Sequence, residues 1–164
     1  MITNKKILDA CCGSRMFWFD KTNPDVDFCD IRECRTELCD GRKLDISPDY
    51  IVDFTKLPFE DHAYYLVVFD PPHLINVGET SWLAKKYGKL GKENWKQVLH
   101  DGFAECMRVL KPNGVLIFKW NETDIPVSKI IETIGVTPLF GHRSGKKMGT
   151  HWLCFMKAAT GNDG

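Results

Sequence analysis

The stretch Tyr65-Leu66-Val67-Val68-Phe69-Asp70-Pro71-Pro72-His73 decides how the chain is read. Its first five residues are aliphatic, β-branched or aromatic, the signature of a short buried strand. Each proline that follows fixes its φ and gives up an N–H, so the strand ends in a rigid turn. The carbonyl before a proline has no neighbouring amide to serve, and the Asp70 carboxylate stands beside it. Fixed acceptors of this kind suit the holding of an –NH2 group by its two hydrogens. The plainer alternative is an ordinary strand stop with a capping aspartate.

Outward from this stretch, strands alternate with helical segments. Residues 6–10 and 26–30 read as the first two strands, 50–53 as a short third, and 65–69 as the fourth. Apolar residues at helical spacing from Trp95 through Leu99, Phe103 and Met107 predict a helix over about 93–110. Lys111-Pro112-Asn113-Gly114 should stop it in a turn, and residues 115–120 form strand five. A helix over 126–134 starts on Pro126 and ends before Gly135. Residues 137–140 and 152–156 are the final strands, joined by a basic loop over 141–151. With no helix between them, they should pair as an antiparallel hairpin. The expected fold class is therefore α/β: an open, mostly parallel Rossmann-like sheet with a C-terminal antiparallel hairpin. It forms one domain over 1–159, with a frayed tail at 160–164.

Composition sets bounds. The chain has 164 residues, with 22 Lys+Arg against 22 Asp+Glu, so any nucleic-acid contact must come from local patches. No apolar run nears the roughly 20 residues of a membrane span. Met1–Lys6 runs into a strand without signal-peptide character. Seven cysteines, an odd number with Cys11 and Cys12 adjacent, do not resemble a disulfide framework. The expectation is a cytoplasmic protein without a metal, because Cys29, Cys34 and Cys39 lack the spacing of a zinc site.

In open parallel sheets, ligands bind beyond the carboxyl ends of the strands. Distinctive residues cluster there. Strand one ends in Asp9-Ala10-Cys11-Cys12-Gly13, strand two in Asp30, and strand three in Asp53-Phe54. Gly13 permits close approach of a ligand to the backbone. An acid after strand two can accept from both ribose hydroxyls. Three acids around a small-residue turn suit an adenosine with a cationic or neutral tail, and would repel a pyrophosphate.

In this arrangement the chain resembles the class I S-adenosylmethionine-dependent methyltransferases. The matching pieces are Leu8–Gly13, Asp30, Asp53 with Leu57-Pro58-Phe59, Asp70-Pro71-Pro72-His73, and Val109–Gly114 before strand five. The resemblance implies S-adenosylmethionine as cofactor. The turn Asp9, Ala10, Cys11, Cys12 and Gly13 would meet its methionine part, Asp30 its ribose, and Asp53 with Phe54 its adenine. Cys11 and Arg15 stand where the family usually has glycines. Met16 to Phe19 are expected on the core face of a first helix.

Asp-Pro-Pro followed by an aromatic resembles the signature of amino-methyltransferases of the N6-adenine type. Asp70, Pro71, Pro72 and His73 are then the catalytic residues, with His73 in the aromatic's place. Bonds from the –NH2 to the acid and a backbone carbonyl would aim the nitrogen lone pair at the methyl group. Lys85 and Lys86 in one basic loop, and Arg143, Lys146 and Lys147 in the other, are candidates for phosphate contact. Lys119 and Trp120 are expected to line the pocket, with Trp120 stacking on a base. The implied substrate is nucleic acid, DNA ahead of RNA, modified at N6 of adenine. A small-molecule or protein amine, or a catalytically silent nucleic-acid-binding subunit, are the alternatives. No membrane partner is expected. A chain this compact resembles phage or prophage methyltransferases, and a homodimer or partner subunit could supply target recognition.

Overall fold

The computed structural model describes residues 1–16, 18–37, 41–78, 84, 88–144 and 149–159. Lys85, Lys86, Lys146, Lys147, Phe17 and the expected tail at 160–164 lie outside the described residues.

Seven strands form the main sheet: β1 (Ile7–Asp9), β2 (Val26–Asp30), β5 (Tyr50–Ile51), β6 (Tyr64–Phe69), β7 (Leu110–Asn121), β8 (Phe140–Ser144) and β9 (Thr150–Met156). Their spatial order is β5-β2-β1-β6-β7-β9-β8. The first five in that order are parallel, whereas β9 runs antiparallel to both β7 and β8. This is the α/β sheet with a C-terminal antiparallel hairpin that the strand and helix pattern predicts. The order reverses between β1 and β6, the place at whose carboxyl ends open α/β sheets bind their ligands.

Among the described residues, two helices pack on the sheet: α1 (Trp95–Val109) and α2 (Val127–Ile134). Leu99, Phe103, Cys106 and Val109 of α1 are buried at a spacing of three and four, one stripe of a helix. The stripe packs in one core with Val67, Phe69, Leu116, Phe118 and Phe155 from the sheet. Gly102 brings α1 close: a Cβ there would lie 2.4 Å from the Phe54 ring. Phe54 in turn meets Phe69 edge-on at 5.3 Å. Phe69, the residue before Asp70, is thus clamped from the helix side. Pro126 precedes the first turn of α2, and Gly135 closes it in the left-handed region at φ 70°. No helix among the described residues is long and apolar enough to cross a membrane.

Several local expectations are corrected. The first helix does not form among the described residues between β1 and β2. Gly13 and Arg15 adopt positive φ (50° and 54°), which breaks a right-handed helix at its start. Met16 and Phe19 are exposed, while Trp18 turns inward onto Phe28. A two-stranded hairpin, β3 (Cys34–Glu37) with β4 (Lys43–Ile46), stands between β2 and β5, where no element was expected. Its signal was the alternation Leu44 and Ile46 in, Lys43 and Asp45 out.

Helix α1 ends at Val109, and Lys111–Gly114 lies within β7 as an irregularity, not as a separate turn. Tyr64 pairs with Leu110, but Leu66 already pairs with Val115. Pro112 has no N–H for the ladder, and Asn113 takes φ 63°. Strand β8 begins where the sequence placed its end. Pro138 cannot donate to a ladder, whereas Phe140–Ser144 pairs with Thr150–Cys154 despite weak strand propensity.

Candidate active site

Strand β1 ends beside β6, and the amide of Ala10 donates to Val68 O at 3.0 Å. This seam places the turn 9–13 next to Asp70. All four amides from residue 10 to residue 13 are engaged. Ala10 bonds Val68 O, Cys11 bonds Asp9 Oδ1, Cys12 bonds Cys29 O, and Gly13 bonds Asp30 Oδ2. The turn has no spare N–H to offer a phosphate. What surrounds it is oxygen: backbone carbonyls and, at its edges, the carboxylates of Asp30 and Asp70, with Asp9 buried beneath. That donor set fits a cation with an ammonium group. Gly13 faces open space, with nothing within 4 Å of where a Cβ would sit.

Asp9 is fully buried. Burial pushes its carboxyl up to about 7, and the nearby Asp70 and Asp30 add to the rise, against hydrogen bonds from Trp18 and the Cys11 amide. Trp18 Nε1 donates to Asp9 Oδ2 at 2.7 Å. Asp9 therefore fastens the turn from beneath, a structural contact with the 11–25 segment that the sequence reading did not foresee. Ala10 and Cys12 are buried as well, so neither presents its side chain to a ligand.

Asp30 is 4% exposed and makes a bidentate pair with Arg32, Nε to Oδ1 at 2.9 Å and Nη2 to Oδ2 at 3.1 Å. A ribose at Asp30 would replace this guanidinium. Asp53 is exposed, and its Oδ1 accepts from the amide and hydroxyl of Thr55, both at 2.8 Å. Phe54 beside it is half-buried between α1 and β6.

At the diproline corner, Asp70 lies abreast of Lys119, because Phe69 pairs with Phe118. Lys119 Nζ donates to Asp70 Oδ2 at 2.6 Å. Burial raises the Asp70 carboxyl above its ordinary value, and Lys119 opposes the rise. Among the described residues no hydrogen bond reaches Oδ1. Pro72 packs under Gly88, where a Cβ would come within 2.9 Å of Pro72 Cγ. The segment after His73 is pinned by Asp124, whose Oδ2 accepts from the amides of Ile75 (2.7 Å) and Asn76 (3.0 Å). The corner is thereby held from three sides. Burial, then the neighbouring Lys119, lowers His73 to about 4, so its imidazole is neutral at pH 7.

Two expected substrate contacts change. Trp120 is fully buried, stacks on Phe118 at 6.1 Å, and donates Nε1 to Ile125 O. It is a core residue and cannot stack on a base. Strand alternation explains this: Lys119 faces the site, so its neighbour faces the helices. The aromatic on the Lys119 side is Trp152 of β9, which pairs with Lys119 in register and lies 5.7 Å from its ammonium. Arg143 belongs to β8, not to a loop, and lies 3.2 Å from Glu122, which also approaches His151 at 3.1 Å.

No family model matches the chain, and no curated protein matches it. Solved structures do. A protein of Pyrococcus horikoshii OT3, PH0226, aligns over 94% of this chain and 82% of its own, at 16% identity and a TM-score of 0.58. A SAM-dependent methyltransferase of Methanosarcina mazei aligns over 96% and 95%, at 11% identity and 0.58. The N-methyltransferase NodS of Bradyrhizobium japonicum WM9 aligns over 94% and 86%, at 12% identity and 0.52. At such identities the likeness is one of fold, and the fold is the one that the sequence resemblance implied.

Proposed function

We propose that the protein is an S-adenosylmethionine-dependent methyltransferase acting on an exocyclic amine, namely N6 of adenine in DNA. One observation carries this reading. Asp70-Pro71-Pro72-His73 stands at the carboxyl end of β6, across the β1–β6 seam from an oxygen-lined turn, in a fold that aligns with that of a solved SAM-dependent methyltransferase.

S-adenosylmethionine would supply an electrophilic methyl carbon on a sulfonium. The turn 9–13 would hold its ammonium-bearing end, Asp30 its ribose hydroxyls, and Asp53 with Phe54 its adenine. The side chain of Asp70 accepts one hydrogen of the substrate amine at Oδ1, and the Pro71 carbonyl accepts the other. These bonds fix the nitrogen and direct its lone pair toward the methyl carbon. As the amine nitrogen takes up the methyl group it would have one proton to lose, and Asp70 would accept that proton and pass it to water. Lys119 opposes the rise that burial gives the Asp70 carboxyl and so favours its ionised form. His73, neutral, offers a flat ring against the base and no proton.

The six described cysteines are free thiols, which accords with a reducing compartment. The test is to incubate the protein with methyl-labelled S-adenosylmethionine and separate pools of DNA, RNA and protein, then digest and identify the labelled species. N6-methyladenine in the DNA pool is expected. Label in RNA or protein would move the substrate, and label in none would remove the activity.

A further inference from the structure

A concave region lies between Gly13–Met16 with Lys21 on one side and the β3–β4 hairpin on the other. It encloses about 550 Å³ and shares only Gly13 with the residues proposed to hold the cofactor. Five cations border it, Arg15, Lys21, Arg35, Arg42 and Lys43, against one acid, Asp45. Arg15 is its floor. It is held by the carbonyls of Lys21 (2.6 Å) and Ser47 (2.8 Å) and by Asp49 (2.9 Å), and its guanidinium lies 3.8 Å over the Phe28 ring. Arg35 approaches Asp45 at 3.4 Å. Among the described residues, Lys21 and Lys43 have no ion-pair partner. Gathering this many like charges around one cavity raises the energy of the empty protein, and an anion relieves it. A volume of this order takes a nucleotide-sized ligand.

Location supplies the rest. The cavity begins at Gly13, on the turn that adjoins Asp70 through the β1–β6 seam. The Asp70 corner and the cation-lined cavity thus flank one and the same turn.

We propose that the pocket between the turn and the β3–β4 hairpin seats the phosphodiester backbone of the nucleic-acid substrate. The proposal rests on the nucleic-acid reading given above and adds where the strand lies. Lys21, Arg42 and Lys43 are the phosphate contacts. All three are exposed, so their removal leaves the core untouched.

The test uses the full chain and a short fluorescein-labelled single-stranded DNA, with anisotropy measured across a salt series. The compared protein carries Lys21→Ala, Arg42→Ala and Lys43→Ala together. Cofactor affinity by calorimetry serves as the check on folding, and a milder Lys21→Gln/Lys43→Gln variant replaces it if that check fails. Each lost phosphate contact removes about 0.7 from the slope of log affinity against log salt. The triple variant should therefore lose about 2 from the slope, with unchanged affinity for S-adenosylmethionine. If the wild type binds DNA and the variant binds with the same affinity and slope, the pocket is not the backbone seat, while the nucleic-acid reading stands. If neither binds DNA although both bind the cofactor, both proposals fall.

Discussion

The ammonium of Lys119 and the carboxylate of Asp70 meet at 2.6 Å across two adjacent parallel strands, β7 and β6. The pair decides the charge at the diproline corner. Asp70 is drawn toward protonation by burial and held back by Lys119. Replacing Lys119 by Met removes the cation that opposes the rise, so the Asp70 carboxyl moves further up and its neutral form is favoured. The ionisation that limits activity then moves to higher pH. At pH 7 the rate of methyl transfer should drop at least about tenfold and recover on alkalinisation, while Lys119→Arg keeps the wild-type profile. A pH–rate series for the three proteins checks this, and overlapping profiles would dissociate Lys119 from Asp70 ionisation.

Asp70→Ala should lower the rate by about 100-fold or more, since a preorganised acceptor at the reacting centre is lost. Cofactor affinity should stay within a few-fold. Single-turnover kinetics and calorimetry separate the two effects. Substantial turnover in the variant would take Asp70 out of the mechanism.

Arg32 holds both oxygens of Asp30. If ribose replaces it there, Arg32→Ala should tighten cofactor binding by about fivefold, the worth of a partly exposed ion pair of about 1 kcal/mol. Asp30→Ala should weaken it. Titration calorimetry reads both, and weakened binding in the Arg32 variant would place the ribose elsewhere.

Trp120 and Trp152 should part company. Trp120→Ala empties a buried site and should cost about 3–5 kcal/mol of stability. Trp152→Ala should melt close to the wild type and lose substrate affinity. Thermal unfolding together with DNA binding distinguishes them, and the reverse pattern would restore Trp120 to the site.

Acid should weaken the fold through His73. Its folded value of about 4 lies below the ordinary value of about 6.5. The unfolded chain therefore takes up a proton first, and stability falls as pH drops through that window, by up to about 3 kcal/mol in all. His73→Gln should flatten the fall in melting temperature between pH 7 and pH 5. An unchanged pH dependence would show that His73 is solvated in the folded protein.

The sheet was legible in the sequence because strand ends carry their own marks. Val26–Asp30 and the Pro126–Gly135 helix are bounded by residues whose backbone chemistry fixes the limits. The diproline corner, Asp30 and the β1 turn were legible for the same reason. What escaped was set by contacts distant in sequence. Nothing near Lys119 announces Asp70, and Trp120 looked like a site residue until strand alternation turned it inward. Arg15 at positive φ and Trp18 bonded to Asp9 replaced the expected first helix. The β3–β4 hairpin went unread because its alternation spans only two buried residues, Leu44 and Ile46.

The most direct measurement is a crystal structure of the protein with S-adenosylhomocysteine and adenosine monophosphate. Sulfur beside the 9–13 turn, and the N6 nitrogen within hydrogen-bonding reach of Asp70 Oδ1 and the Pro71 carbonyl, is the predicted result. Cofactor density away from that seam, or an adenine whose amine points away from Asp70, would contradict it.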